Sequence, residues 1–324
     1  MTMQNPLPDA AALAWALDIL GTESHAAPVV STPWSSVTRL SNAAGVFYLK
    51  RTPDDFWIEA DILRFCGAAG LDCTPELIAA NRARGCFLMK ACGDTTLRDY
   101  FAGTADIDLL CSGIAAGRRI MAAALDKIHA LIALGVPDWR VRQLPEVFAH
   151  LLDKTALLEA EGLSADDRRQ LQSAARPLAA ACARLDAFGI PDTLCHCDFH
   201  DGNITLARGT LQTGVIDLGE VALTHPFFPL LSLERRLAGR YNIAAESAAA
   251  AQLRGACFDG WDIPAKDAAP LREAAASLTP LFFALAHIRL CEAAPEEELR
   301  KITRMQGRIR DALRETAALL TDAA

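Results

Sequence analysis

From residue 193 to residue 220 the chain reads TLCHCDFHDGNITLARGTLQTGVIDLGE. Short apolar runs, TLC, ITLA and LQTGVID, are threaded there through two cysteines, two histidines, three aspartates, an asparagine and a glutamate. Strands that only close a core rarely hold so many ionisable groups. The segment therefore specifies a hairpin, turning at Arg208-Gly209, that carries a cluster of polar ligands. Its surroundings decide the class of fold. From Pro28 to Leu49, the runs PVV, SSVTRL and VFYLK with the turn SNAAG predict a small antiparallel meander. TPDDFWIEADILRFCGAAG then predicts a helix, with Thr52 as N-cap, Pro53 at the first helical position and Gly67 or Gly70 as the stop. CFLMK (86–90) reads as a last buried strand, and ACGDTT breaks the pattern. Beyond it the 3.6-residue apolar spacing predicts helices over 97–101, 107–134, 144–161, 166–188, 229–241, 243–258, 268–293 and 295–323.

Strands first and helices after, with one β excursion, is an α+β arrangement. A chain of 324 residues with 52% hydrophobic content is long enough for two lobes, divided at residue 90. Residues 1–90 form the sheet-plus-helix N-lobe and 91–324 the mostly helical C-lobe. No run approaches the roughly 18 uninterrupted apolar residues of a membrane helix, so no membrane is expected. The N-terminus has no basic region ahead of its apolar stretch, and ten cysteines follow no regular framework, which fits reduced thiols and a cytoplasmic protein. A net charge of -8 argues against nucleic acid as a partner and is compatible with a cationic substrate. Nothing in the pattern specifies an oligomeric state.

His196, Asp198 and Asn203 stand as H-x-D-x-x-x-x-N, and Asp217 follows in VIDLG. This spacing matches the catalytic loop of protein kinases. Phosphoryl transfer needs a carboxylate to orient and deprotonate the accepting hydroxyl, and hard oxygen ligands for Mg²⁺. Asp198 suits the first role, with His196 tying the loop beside it. Asn203 and Asp217 suit the second, because the intervening hairpin returns the chain to the same place. Lys50, ending VFYLK, is the candidate phosphate-binding lysine, and Glu59 in the next helix is its partner. Asp61 lies about 200° away around that helix and points elsewhere.

Together Lys50, Glu59, FLMKACGDTTLRDY, LDKIHAL and CHCDFHDGNI…VIDLGE resemble the phosphotransferase family of aminoglycoside and choline/ethanolamine kinases, over roughly Val29 to Leu237. The resemblance implies a bilobal protein-kinase-like fold with a five-stranded N-lobe sheet. It also implies a hinge from Lys90 to Cys92 whose backbone holds the nucleotide base. ATP or GTP with Mg²⁺ would be the co-substrate, and a hydroxyl-bearing small molecule the acceptor: an aminoglycoside, a choline-like amine, an amino acid or a sugar. In those terms Asp198 is the base, Asn203 and Asp217 bind the metal, Lys50 binds phosphate and Glu59 orients Lys50.

Two departures qualify the resemblance. The loop VVSTPWSSV has no glycine, so the hydroxyls of Ser31, Thr32 and Ser35 stand where a close backbone approach to phosphates would be expected. Pro229 occupies a position where the family usually has an aspartate, which implies altered support for the catalytic loop. These departures motivate a rival reading, a kinase-like module that binds nucleotide or a partner without transfer. The short stretch from Asp217 to Pro229 leaves no room for a long activation segment, which favours a small acceptor. Trp261, Phe282, Phe283 and the acids near Glu292 are candidate walls for it. Alternation puts Cys195 and Cys197 on one strand face and His196 on the other, so packed thiols are expected rather than a zinc site. Asp201 reads as a turn residue, Glu220 equally as a metal neighbour or a solvated loop acid, and His129 as a packed helix histidine.

Overall fold

The computed structural model describes residues 9–294, 296–302 and 305–322. Its N-terminal sheet comprises β1 (His25–Ser31), β2 (Ser36–Asn42), β3 (Gly45–Arg51), β4 (Glu76–Asn81) and β5 (Cys86–Lys90), antiparallel throughout in the order β1-β2-β3-β5-β4. The unforeseen strand β4, ELIAAN, has Glu, Ala and Asn, types that β-sheets disfavour, at four of its six positions; its place between α2 and β5 overrides propensity. Also unforeseen is α1 (Ala10–Leu20), started by Asp9, whose carboxylate accepts from the Ala11 and Ala12 amides at 2.9 and 3.4 Å. Strand alternation sends Phe47 and Leu49 of β3 toward Ala12 and Ala16 of α1, while Tyr48 joins the main core on the opposite face. On that opposite face lies α2 (Ile58–Ala68), whose Ile58, Ile62 and Leu63 share a core with Phe87 and Met89. A 3₁₀ turn at Asp54–Phe56 precedes α2, with Pro53 at its N-cap position, so Thr52 does not cap the helix as expected.

The remainder is largely helical: α3 (Leu97–Phe101), α4 (Ile107–Ala124), α5 (Ile128–Ala133), α6 (Leu144–Asp153), α7 (Thr155–Ala160), α8 (Ala165–Asp186), α9 (Phe227–Arg240), α10 (Ala248–Phe258), α11 (Ala265–Glu292), α12 (Glu296–Arg300) and α13 (Arg308–Asp322). Expected continuous helices over 107–134 and 144–161 are each broken in two, at Leu125–Lys127 and at Lys154. His129 on α5 is exposed rather than packed. Of the last expected helix, Pro295, 303–304 and Ala323 lie outside the described residues. By length and composition α11 could cross a membrane, yet 56% of its most apolar window is buried inside the fold against α8, α9 and α13.

Four short strands interrupt the helices: β7 (Thr193–His196), β8 (Ile204–Ala207), β9 (Gln212–Val215) and β10 (Val221–Thr224). β8 and β9 form the expected hairpin, extended by β6 (Thr95–Thr96), and β10 pairs with β7. Helix α4 lies against this hairpin and its preceding loop. A Cβ at Gly117 would stand 2.6 Å from the Phe199 ring, and one at Gly113 would stand 2.7 Å from Ile204. Those two glycines let α4 buttress the polar loop from beneath.

Candidate active site

The β8–β9 hairpin fixes the loop geometry through backbone bonds. Ile216 N–H donates to Asn203 C=O at 3.0 Å, continuing the ladder one step beyond Val215 and bringing Asp217 beside Asn203. Asp217 adopts a left-handed backbone, φ 64°, which Asp tolerates better than most residues. Buried His196 bridges the two limbs. Its Nε2–H donates to Ile216 C=O at 3.0 Å, because a carbonyl can only accept, which leaves Nδ1 to accept from the Asp198 amide at 3.2 Å. Burial lowers its pKa despite Asp217 and Asp198 nearby, so the ring stays neutral and holds the loop.

Asp198 opens onto the cavity with 37% of its side chain exposed. His200 Nε2 lies 3.1 Å from its Oδ2 and Arg236 Nη1 lies 2.8 Å from its Oδ1. Burial pushes the Asp198 carboxyl up, but His200 and Arg236 more than offset this and hold it well below the usual carboxylate range. Asn203 donates its Nδ2 to Asp198 C=O at 3.0 Å, which turns its Oδ1 away from that carbonyl.

Lys50 reaches this cluster from β3. Its ammonium pairs with Glu59 Oε2 at 2.6 Å and with Asp217 Oδ1. Asp61 instead pairs with Arg64, in keeping with the helical geometry that separates it from Glu59. Burial would lower the Lys50 pKa, but the two carboxylates raise it, so it stays charged. Burial pushes the Glu59 carboxyl up further than Lys50 pulls it back. Two carboxylates facing one ammonium leave an excess of negative charge. With 44% of the Asp217 side chain open to the cavity and Asn203 on the same lining, the donor set fits a hard divalent cation.

The glycine-free loop closes on itself. Thr32 N–H and Oγ1–H donate to Ser35 C=O at 2.8 and 3.2 Å, and Thr32 Oγ1 accepts from the Trp34 and Ser35 amides. Most of the Thr32 hydroxyl's capacity is thus spent on the turn. Thr32, Trp34 and Ser35 line the cavity, whereas Ser31 ends β1 outside the lining. Trp34 donates its indole N–H to Leu290 C=O at 2.7 Å, pinning the loop to α11 across the cleft. Lys90 and Cys92, expected at the nucleotide base, do not line this cavity. They border a separate depression beside Arg64 and Gly67 of α2 and Glu76 of β4, and Cys92 Sγ turns to Thr205 Oγ1 at 3.3 Å. The neighbouring Ala91 N–H is taken by Val46 C=O at 3.0 Å.

Several contributors were not singled out from the sequence. Arg236 and His200 hold Asp198, and no local spacing announces Arg236 because it arrives from α9. Asp201 is no mere turn residue: it is 2% exposed and accepts from Arg98 at 2.7 Å and Tyr241 at 2.6 Å, with Arg240 at 3.4 Å. Glu220 lines the cavity, and burial, followed by Asp198 and Asp217, pushes its carboxyl up to about 8. Of the expected acceptor walls, Phe283 lines the cavity. Phe282 packs in the core against Trp139 and Phe228 and Glu292 pairs with Lys154, because α11 turns only one face to the cleft, while Trp261, ahead of α11, lies against Phe227. Cys195 and Cys197 are buried free thiols.

Lys50, Glu59, Asp198, Asn203 and Asp217 share one cavity of ≈ 1090 Å³. The family model described as the phosphotransferase enzyme family matches residues 51–266. Among curated proteins, none matches the chain. Among solved structures, a choline kinase from Streptococcus pneumoniae superposes with a TM-score of 0.59 at 10% identity, covering 95% of this chain and 98% of that one. A choline/ethanolamine kinase family protein from Mesorhizobium loti gives 0.57 at 17% identity, with 96% and 99% covered. An aminoglycoside phosphotransferase solved with GDP and kanamycin gives 0.56 at 10% identity, with 97% and 98% covered. These likenesses establish the bilobal, protein-kinase-like α+β fold.

Proposed function

We propose, from the premise that this chain belongs to the phosphotransferase enzyme family, that it moves the γ-phosphoryl group of ATP or GTP to a hydroxyl of a small acceptor. Residues 1–90 would supply the nucleotide-phosphate side and residues 91–324 the catalytic and acceptor side. The observation that carries the reading is the meeting of Lys50, Glu59 and Asp217 with Asp198 and Asn203 on one open cavity.

In this reading Lys50, held charged by Glu59, binds the phosphates that displace Asp217 from its ammonium. Asn203 Oδ1 and the Asp217 carboxylate would hold Mg²⁺, which supplies neutralisation of the charge on the transferring phosphoryl oxygens. Asp198 accepts a hydrogen bond from the acceptor hydroxyl, aims its oxygen at phosphorus and takes its proton as the bond to phosphorus forms. Orienting the hydroxyl and accepting its proton both suit a reaction with a loose transition state. His196 keeps the Asp198 and Asp217 segments in register.

Calorimetry with ATP·Mg²⁺ and GTP·Mg²⁺, paired with nucleoside diphosphate release in the presence of hydroxyl acceptors, tests this reading. Binding that Lys50→Met weakens, together with acceptor-dependent diphosphate release, is expected. A protein that binds neither nucleotide would overturn the assignment. Nucleotide binding with no transfer to any acceptor would favour the rival binding module, in which the paired state of both Asp198 oxygens is permanent.

A further inference from the structure

The cavity carries more positive charge than phosphoryl transfer uses. Away from the Lys50 cluster, where Glu59 and Asp217 share one ammonium, its lining carboxylates are matched: Asp198 by Arg236, and Asp201 by Arg98 and Arg240. Glu220 remains, and burial, followed by Asp198 and Asp217, disfavours its charged form. On the other side of the balance, Arg235 of α9 and Arg308 at the start of α13 line the same cavity, and among the described residues neither has a carboxylate partner. Both are exposed, so their guanidinium groups are free to meet a ligand. His287 of α11, also on the lining, feels Arg308 and Arg236 together, which places those two cations around one part of the wall, with Arg235 the next residue to Arg236 on α9 and on the same lining. Its Nδ1–H is spent on Phe283 C=O at 2.8 Å, which leaves Nε2 as an acceptor for a ligand hydroxyl. Phe283, Ala286 and Leu290 give that wall an apolar surface.

Resting on the phosphotransferase reading, we infer that the acceptor is an anionic hydroxyl compound, a phosphorylated or carboxylated polyol or sugar, whose anion is bound by Arg235 and Arg308. A guanidinium fork matches both carboxylate and phosphate oxygens. A cationic acceptor finds no charged carboxylate left to receive it except those of the transfer machinery itself. An anion within reach of Arg236 also competes with Asp198 for that guanidinium, freeing a carboxylate oxygen for the incoming hydroxyl. The negative net charge of the chain, compatible at first sight with a cationic substrate, is therefore a poor guide to this cavity.

The test uses the whole protein saturated with ADP·Mg²⁺, so that nucleotide affinity reports separately on the phosphotransferase reading. Inorganic phosphate is the probe, titrated into the wild type and into Arg235→Gln/Arg308→Gln. A weakening of roughly tenfold or more in the variant is expected, the usual worth of a charge-assisted contact. An equal affinity for phosphate in both proteins would overturn the inference while leaving the nucleotide result standing. Turnover with glucose 6-phosphate, glycerate, glycerol, choline and kanamycin then separates the anion types: preference for the first supports a phosphate and for the second a carboxylate. Preference for glycerol, choline or kanamycin would sink the proposal, and loss of ADP·Mg²⁺ binding in the wild type would sink the reading beneath it.

Discussion

The two walls of the cleft solve opposite electrostatic problems. On the wall made by β3, α2 and the β8–β9 hairpin, Lys50 is enclosed by Glu59 and Asp217, and the cluster carries excess negative charge that suits a divalent cation. On the wall made by α9, α11 and α13, arginines outnumber their carboxylates. The first wall comes from residues close to one another in three short segments and is largely satisfied internally. The second comes from helices separated by many residues, and its Arg235 and Arg308 have no carboxylate partner among the described residues. In the proposed reading, transfer chemistry would sit in a preorganised half, and selection of the acceptor in a half that is left for the ligand to complete.

Substitutions should separate these halves, beginning with the strongest effect. Asp217→Ala removes a metal ligand and a counter-ion of Lys50 at once, so Mg²⁺-dependent turnover should be abolished, with a cooperative melting transition retained. Next, Asp198→Asn should lower turnover by roughly 10²- to 10⁴-fold while nucleotide affinity, measured by calorimetry, is unchanged. Parallel losses of nucleotide binding would show that the walls are not independent. Arg236→Gln should raise the acceptor KM by about tenfold with little effect on the nucleotide KM. It should also move the acid limb of the kcat/KM profile upward in pH. Asp198 is held below its ordinary pKa partly by Arg236, so removing that charge lets the carboxyl protonate at higher pH.

Smaller effects test the scaffolding. Gly117→Ala drives a methyl into Phe199 and should cost about 1–3 kcal/mol in denaturant unfolding. Asp167 caps α8 through Ser164 and receives Arg314 of α13 at 2.7 and 2.9 Å, tying down the helix that carries Arg308. Asp167→Asn should therefore cost about 1 kcal/mol. Hydrogen bonds from Arg314 and Ser164 depress the Asp167 pKa. Its contribution is present above the ordinary value of 3.8 and is lost as pH falls below it, so wild type and variant should converge in acid.

How much was legible follows the same division. The H-x-D-x-x-x-x-N spacing and VID announced the hairpin, Asp198, Asn203 and Asp217 because those residues are joined by short local structure, and helical periodicity separated Glu59 from Asp61. Strand β4 was hidden by its alanines, and α1 by a segment whose lack of a basic lead-in drew attention to export rather than to structure. Arg236, Arg235 and Arg308 look like ordinary helix-surface residues, since their shared cavity exists only after α9 and α13 pack. The expected nucleotide-base segment Lys90 to Cys92, whose role rests on its backbone, borders a depression beside α2 and β4 rather than the cavity that holds Asp198.

Asp201 links this packing to heredity. A single buried carboxylate gathers Arg98 from α3, Arg240 from α9 and Tyr241 immediately after it. Replacing it strands two guanidinium groups and a phenol together, whereas replacing one donor alone leaves the acid under-satisfied. Intermediate genotypes are thus each penalised, and across descendants of this chain positions 98, 201 and 241 should drift as one linked unit, even though they lie far apart along the gene.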